Sequence, residues 1–150
     1  MRVYRLVNCE YDPITVGTQL TRSSDHSHQK LAEGIYFSVS RDDALQFAGA
    51  NHGHVYTHLL TCQLKNITID DFIDLVSDPN CILKAKAKSK SNLKMLSGKK
   101  LNVAYCREKG KKGLIWRAQN RWIEICLLAD YIGDSVEIEH AEALKPGEKC

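Results

Sequence analysis

The chain has 150 residues, a mass of 16.9 kDa and a formal net charge of +3 at pH 7. With 43% hydrophobic and 26% charged residues, its composition excludes a disordered tail or a fibrous repeat, and its length predicts one domain over residues 1–150. No apolar run is long enough to span a membrane, and the first residues become polar too soon for a signal peptide, so we expect a soluble, cytoplasmic protein.

The first half of the chain predicts two strands and a helix. Residues 2–8 and 35–39 alternate apolar and polar side chains, which is typical of strands, whereas residues 22–31 are polar and are equally compatible with helix and loop. After the second strand, Ser40 is suited to cap a helix that ends near Gly49, because two aspartates occupy its first turn.

The second half predicts more strands than helices. A short helix is predicted over residues 70–76. The predicted strands cover residues 55–64, 101–106, 114–117, 121–128 and 135–140. Many strands with few helices indicate an α+β domain with a mainly antiparallel sheet.

Positive charge is concentrated between Lys84 and Arg121, where thirteen of the 21 basic residues lie with a single acid, Glu108. We interpret residues 84–112 as a basic insertion in the domain. Such a segment either attracts anionic partners, such as phosphates or nucleic acid, or forms an ordinary solvated surface.

The six cysteines are predicted to be reduced and mostly buried. They form no Cys-x-x-Cys pair, and we expect no secretory signal that would favour disulfides. They are Cys9, Cys62, Cys81, Cys106, Cys126 and Cys150.

Arg5 stands out on the first strand because it shares a face with Val3 and Val7. Burying a guanidinium between two valines requires an anionic partner. That partner is either an internal carboxylate or a bound phosphate or ribose group.

The second strand has one apolar face, and its other face carries Gly34, Tyr36, Ser38 and Ser40. An aromatic ring beside small hydroxyl groups can stack on a flat heterocycle while the hydroxyls bind its polar edge, and a glycine permits close approach. This face is therefore a candidate cleft wall. An ordinary amphipathic strand is the alternative.

Glu124 is the third unusual residue, since it projects among apolar neighbours from the strand over residues 121–128. A carboxylate in such surroundings is costly unless it is paired, so Glu124 is a candidate catalytic or ligand-orienting group. A structural salt bridge to Arg5 or Arg117 is the competing explanation.

Three segments together resemble the ADP-ribosyltransferase superfamily. Residues 33–48, which begin Glu-Gly-Ile-Tyr-Phe-Ser, resemble the Gly-x-Gly-Ile-Tyr-Phe-Ala block of poly-ADP-ribose polymerases and related toxins. Residues 3–7 are similar to the first-strand motif, which carries His or Arg. Residues 122–128 resemble the strand of the catalytic glutamate, and the three segments follow in the family's order.

The resemblance departs from any one subclass of that superfamily. Arg5 follows the arginine-type pattern, whereas Tyr36 follows the His-Tyr-Glu pattern of the polymerases. Trp122 stands two residues before the glutamate, where many arginine- or asparagine-modifying members carry Glu or Gln. The resemblance therefore extends to the superfamily and not to one subclass or target.

The resemblance implies an ADP-ribosyltransferase-like split β-sandwich of mainly antiparallel strands with few short helices, which binds NAD⁺ as a substrate and needs no metal. It implies that Glu124 and Tyr36 are catalytic: the carboxylate would stabilise the ribose as nicotinamide leaves, and the ring would stack on nicotinamide. Ser38 or Ser40 would brace the ribose, a phosphate or the glutamate, and Arg5 would bind the adenine-side ribose or the pyrophosphate.

The implied activity is transfer of ADP-ribose to a macromolecular acceptor, either protein or nucleic acid. Small basic members of the superfamily are often toxins or effectors, which would act in the cytoplasm of a target cell and be covered by an antitoxin or immunity protein. An NAD glycohydrolase on the same fold is the enzymatic alternative. The non-enzymatic alternative is a nucleic-acid-binding module around residues 84–112, with Tyr105 and Trp116 as stacking groups.

Two further motifs carry less weight. Residues 137–139, Glu-Ile-Glu, are similar to the Glu-x-Glu element of some transferases but are predicted to form an edge strand. His52, His54, His58 and Cys62 offer metal ligands, but their spacing fits no common zinc site, so no metal is predicted.

Overall fold

A computed structural model describes residues 1–10, 14, 16–17, 34–50, 56–75, 77–78, 98–118, 122–132 and 135–147. The strands are β1 (Arg2–Val7), β2 (Gly34–Ser38), β3 (His58–Leu64), β4 (Phe72–Asp74), β5 (Gly113–Ala118), β6 (Trp122–Leu128) and β7 (Val136–Ala143). The helices are α1 (Arg41–Ala50) and α2 (Gly98–Glu108). The described residues are thus mostly strand with two helices, which confirms the predicted α+β class.

The seven strands form one mixed sheet in the order β4-β5-β6-β2-β1-β3-β7. Among the described strands, only β4 and β5 pair in parallel, and every other neighbouring pair is antiparallel, as the sequence predicted. The β1–β2 junction consists of a single pair, Tyr4 opposite Ser38, whereas β1 pairs with β3 over six residues. Two groups of strands, β4-β5-β6-β2 and β1-β3-β7, therefore meet at one narrow junction.

The apolar faces of the strands form the main core. Ile35 and Phe37 of β2 are 2% exposed, and Ile125 and Leu127 of β6 are fully buried, so the predicted apolar faces are confirmed. A second core lies where α2 packs against β5 and β6. Its buried members are Ile73, Val103, Tyr105, Cys106, Leu114, Cys126 and Leu128.

Helix α1 begins where the sequence predicted. The backbone N–H of Asp43 donates to Ser40 Oγ at 3.0 Å, so Ser40 caps the helix. The Asp43 carboxylate in turn accepts a hydrogen bond of 3.1 Å from the backbone N–H of Ile123. This contact ties the first turn of α1 to the beginning of β6, one residue before Glu124.

Two predicted elements are wrong. Residues 70–76 were expected to be helical, but a short 3₁₀ turn at Ile69–Asp71 leads directly into β4, because Phe72 and Ile73 are buried beside β5. Residues 101–106 were expected to be a strand and lie instead within α2. Buried Val103 and Cys106 are three residues apart and therefore share one helical face.

The other predicted strands are confirmed, with ends shifted by a few residues. Residues 22–31 lie outside the described part of the chain. Within the predicted basic insertion, residues 98–108 form α2. Neither this helix nor α1 has both the length and the apolar character needed to cross a membrane, and the described residues contain no other candidate.

Candidate functional site

The sheet brings a hydroxyl, a carboxylate and an indole into one row across three strands. Ser38 on β2 lies directly opposite Glu124 on β6, and Trp116 on β5 lies opposite Glu124 on its other side. Paired residues on neighbouring strands project from the same face of a sheet. Ser38 is 7% exposed, whereas Glu124 and Trp116 are half-buried, so the carboxylate lies between a buried hydroxyl and a partly covered ring.

The strand register places Ser38 and Glu124 especially close together. The backbone N–H of Val39 donates to the Ile123 carbonyl at 3.1 Å, so that pair is a hydrogen-bonded one. Because hydrogen-bonded and non-hydrogen-bonded pairs alternate, Ser38 and Glu124 form a non-hydrogen-bonded pair, the type whose side chains approach most closely. A serine hydroxyl can therefore orient this carboxylate.

Tyr36 lies on the same face, one pair further along the sheet. It is opposite Cys126, and its ring meets the Trp116 ring edge to face, with centroids 5.6 Å apart and planes at 76°. The two rings come from the strands that flank β6, so they meet over the face that carries Glu124. The predicted residues Tyr36, Ser38 and Glu124 are therefore brought together.

Arg5 reaches this cluster from the narrow junction of the sheet. By alternation it belongs to the apolar face of β1, but its Nη1 donates a hydrogen bond of 2.9 Å to the Tyr36 carbonyl. That carbonyl points away from β6, toward the place where β1 and β2 cease to pair. Arg5 thus supplies a hydrogen bond that a continuous β1–β2 ladder would otherwise provide.

Two other predicted site residues have structural roles here. The Ser40 hydroxyl accepts the capping bond of α1 and is exposed, beyond the end of β2. A Cβ atom on Gly34 would collide with the carbonyl oxygen of Leu127 and lie 3.0 Å from Cys126 Sγ. Gly34 therefore allows β6 to lie close to β2.

The thiol of Cys126 lies beneath this cluster. Burial raises its pKa to about 12; a hydrogen bond with the Tyr36 side chain and the positive charge of Arg5 oppose the rise, whereas Cys106 and the negative charge of Glu124 add to it. Both Arg5 and Glu124 thus act electrostatically on one buried atom.

Two buried thiols should make the protein less stable in alkali. Burial raises the pKa of Cys62, like that of Cys126, from 9.0 to about 12. The stability that depends on the neutral thiols is complete below pH 9 and is lost as the pH rises toward 12, because the unfolded chain releases these protons first. Above pH 9 we expect the free energy of unfolding to fall by about 1.4 kcal/mol per pH unit for each thiol.

Chemical unfolding between pH 8 and pH 11 measures this fall. In a variant in which alanine replaces both Cys62 and Cys126, the free energy of unfolding should fall less steeply with pH, because the two thiols no longer contribute to the fall. Equal slopes in the two proteins would show that other groups cause the alkaline loss.

The prediction of reduced cysteines is confirmed in part. Cys62, Cys106 and Cys126 are buried and form no disulfide bond. Cys9, however, is disulfide-bonded, and its partner lies outside the described residues. The prediction is wrong for Cys9, since spacing along the sequence does not show which distant cysteines meet in the fold.

The Glu-x-Glu motif lies far from this cluster. Glu137 and Glu139 are on β7, an outer strand separated from β6 by β3, β1 and β2. Each is bound by a cation: Lys65 Nζ lies 2.6 Å from the Glu137 carboxylate, and Arg2 Nε lies 3.2 Å from that of Glu139. These contacts explain both carboxylates as surface ion pairs.

The metal prediction is only partly covered by the structure. His52 and His54 lie outside the described residues. Among the residues that are described, no three His, Cys, Asp or Glu side chains are grouped so that they could hold a metal ion.

The basic side chains around the end of α2 bind acceptors of the protein itself. Arg107 makes two hydrogen bonds of 2.8 Å to Asp130, Lys111 donates to the Asp70 carbonyl, and Lys112 donates to the Asn66 carbonyl. These cations therefore link the end of α2 and the residues after it to the turns before β4 and after β6.

Tyr105, considered above as a stacking group for nucleic acid, is 4% exposed in the second core. Its hydroxyl donates to Asp78 at 2.9 Å. A buried ring cannot stack on a base, so this part of the nucleic-acid alternative is wrong.

Sequence reasoning missed the position of two aromatic residues in the site. Trp116 was considered only as a stacking group for nucleic acid, and Tyr4, which pairs with Ser38 at the junction, was not considered. Alternation shows which face of its own strand a residue occupies. It does not show which strands are neighbours, and only the register places both rings in the row of Glu124.

Comparison with known proteins assigns no family: no protein-family model matches the chain, and no curated protein matches it.

Proposed function

We propose that this protein is an NAD⁺-dependent ADP-ribosyltransferase with a split β-sandwich of the ADP-ribosyltransferase type. The observation that carries the proposal is the pairing of Ser38 with Glu124, with the Tyr36 ring on the same face. The residues of two segments that resemble the superfamily, far apart in the sequence, are neighbours in space. The third segment joins them through the hydrogen bond from Arg5 to the Tyr36 carbonyl.

The narrow junction of the sheet supports the same proposal. A single residue pair joins β1 to β2, so the strands on its two sides are free to diverge there. We infer that a split of this kind opens a groove along the face that carries Tyr36 and Glu124. NAD⁺ would lie in this groove, with nicotinamide on Tyr36 and the adenine half toward Arg5.

The chemistry follows from the charge of Glu124. When the bond between ribose C1′ and the nicotinamide nitrogen breaks, both electrons leave with neutral nicotinamide, and the ribose carries an oxocarbenium-like positive charge. A half-buried carboxylate beside Ser38 stabilises that charge more than it stabilises bound NAD⁺. The acceptor then attacks C1′ and releases a proton to solvent.

Incubation of the protein with NAD⁺ labelled in its adenylate phosphate, together with a cell lysate, tests the proposal. We expect the label to enter protein or nucleic acid and nicotinamide to be released in equal amount. Digestion of parallel samples with protease and with nuclease identifies the acceptor.

The other outcomes each select a different function. Free labelled ADP-ribose without a labelled polymer would make the protein an NAD glycohydrolase. No release of nicotinamide, together with binding of nucleic acid that weakens steeply with salt, would select the non-catalytic module.

A further inference from the structure

The ring of Trp116 lies where it can control the ring that would stack on nicotinamide. Trp116 and Tyr36 come from strands on opposite sides of β6, and their rings are nearly perpendicular at a centroid distance of 5.6 Å. Aromatic pairs favour this edge-to-face geometry. The contact therefore restrains the orientation of the Tyr36 ring.

Trp116 is itself held in place by its surroundings. Its backbone is paired with Glu124, and its side chain is half-buried against the second core, which includes Leu114 and Cys126. A tryptophan anchored on one side and in ring contact on the other acts as a rigid support. Tyr36 also lies beside Cys126, the residue with which it is paired on β6.

We infer that Trp116 is a positioning residue of the NAD⁺ site, which acts by holding the Tyr36 ring in the orientation that receives nicotinamide. The inference rests on the proposed function. A ring that is already oriented loses less conformational freedom on binding, so Trp116 strengthens the binding of NAD⁺ more than it accelerates bond cleavage. An aromatic pair of this geometry corresponds to about a tenfold change in a binding constant.

Initial rates of nicotinamide release, measured over a range of NAD⁺ concentrations, test this role. Trp116→Leu keeps an apolar side chain against the second core but removes the ring. We expect its KM for NAD⁺ to rise about tenfold, while kcat changes by less than about threefold. Trp116→Phe restores an aromatic contact, and its KM should stay within about threefold of that of the unaltered protein.

A double variant separates positioning from simple packing. If Trp116 acts through Tyr36, then Trp116→Leu should add nothing to the loss caused by Tyr36→Ala. If the KM of the double variant rose by the product of the increases in the two single variants, the inference would be overturned. If the leucine variant does not fold, Trp116→Met can replace it, because its flexible side chain also fills the space. We expect the same rise in KM for NAD⁺ and the same lack of a further effect in combination with Tyr36→Ala.

The two proposals fail in different ways. If the unaltered protein releases no nicotinamide, the proposed function and this inference both fail. If it releases nicotinamide and the KM of Trp116→Leu equals that of the unaltered protein, the inference alone is overturned.

Discussion

Replacing Glu124 by glutamine is expected to lower kcat/KM for nicotinamide release at least a hundredfold without changing the fold. Glutamine keeps the shape of the side chain and can still bind a ribose hydroxyl, but it lacks the charge that stabilises the oxocarbenium-like ribose. A hundredfold loss corresponds to about 2.7 kcal/mol, which is typical when one preorganised electrostatic group is removed from an active site. Steady-state kinetics and a thermal unfolding curve measure the two parts of this expectation.

Glu137→Gln is the matched control for that variant. It makes the same chemical change on β7, where the carboxylate is bound by Lys65 at the surface. Surface ion pairs contribute little to stability, so we expect less than a twofold change in rate and about the same unfolding temperature. A large loss in Glu137→Gln with full activity in Glu124→Gln would instead assign catalysis to the Glu-x-Glu motif.

Alternation and capping were sufficient to predict most elements around the site. β2, α1 and β6 were expected from alternating apolar residues and from Ser40 with its aspartates, and the structure confirms them. These signals are local, so the sequence contains them directly. The prediction of a strand over residues 101–106 was wrong. Valine and tyrosine favour strands, but here one face of a helix packs against β5 and β6, and this packing makes the segment helical.

The partners of the site residues were harder to predict because they depend on register. The sequence indicated that Arg5 needs an anionic partner, but it did not indicate the hydrogen bond from the guanidinium to a carbonyl oxygen left by the narrow β1–β2 junction. No local pattern shows where two strands stop pairing. For the same reason, Trp116 could not be placed beside Glu124 before the order of β5 and β6 was known.

Gly34 shows how one residue can fit both a functional motif and a packing requirement. Its place in the Gly-Ile-Tyr-Phe segment suggested close approach of a ligand, but a Cβ atom there would collide with the Leu127 carbonyl oxygen of β6. The absence of a side chain therefore lets β2 and β6 come together. This spacing is what keeps Ser38 beside Glu124.

Gly34→Ala is accordingly expected to destabilise the protein by about 3 kcal/mol or more, because backbone atoms of β6 would have to move. The atom that blocks the new methyl group belongs to a pair of strands in the middle of the sheet. Moving it away would break hydrogen bonds between β2 and β6. Chemical unfolding measures the loss, and a yield of soluble protein too low to study would be the extreme form of the same result.

Gly49→Ala is the control, since the same methyl group would meet no atom within 4 Å near the end of α1. Alanine favours a helix over glycine by about 0.5–1 kcal/mol, so this variant should be slightly more stable than the unaltered protein. If Gly34→Ala were as stable as Gly49→Ala but bound NAD⁺ weakly, the glycine would serve the ligand and not the strand. A large loss of stability in Gly34→Ala alone would assign it to the contact between β2 and β6, on which the position of Glu124 depends.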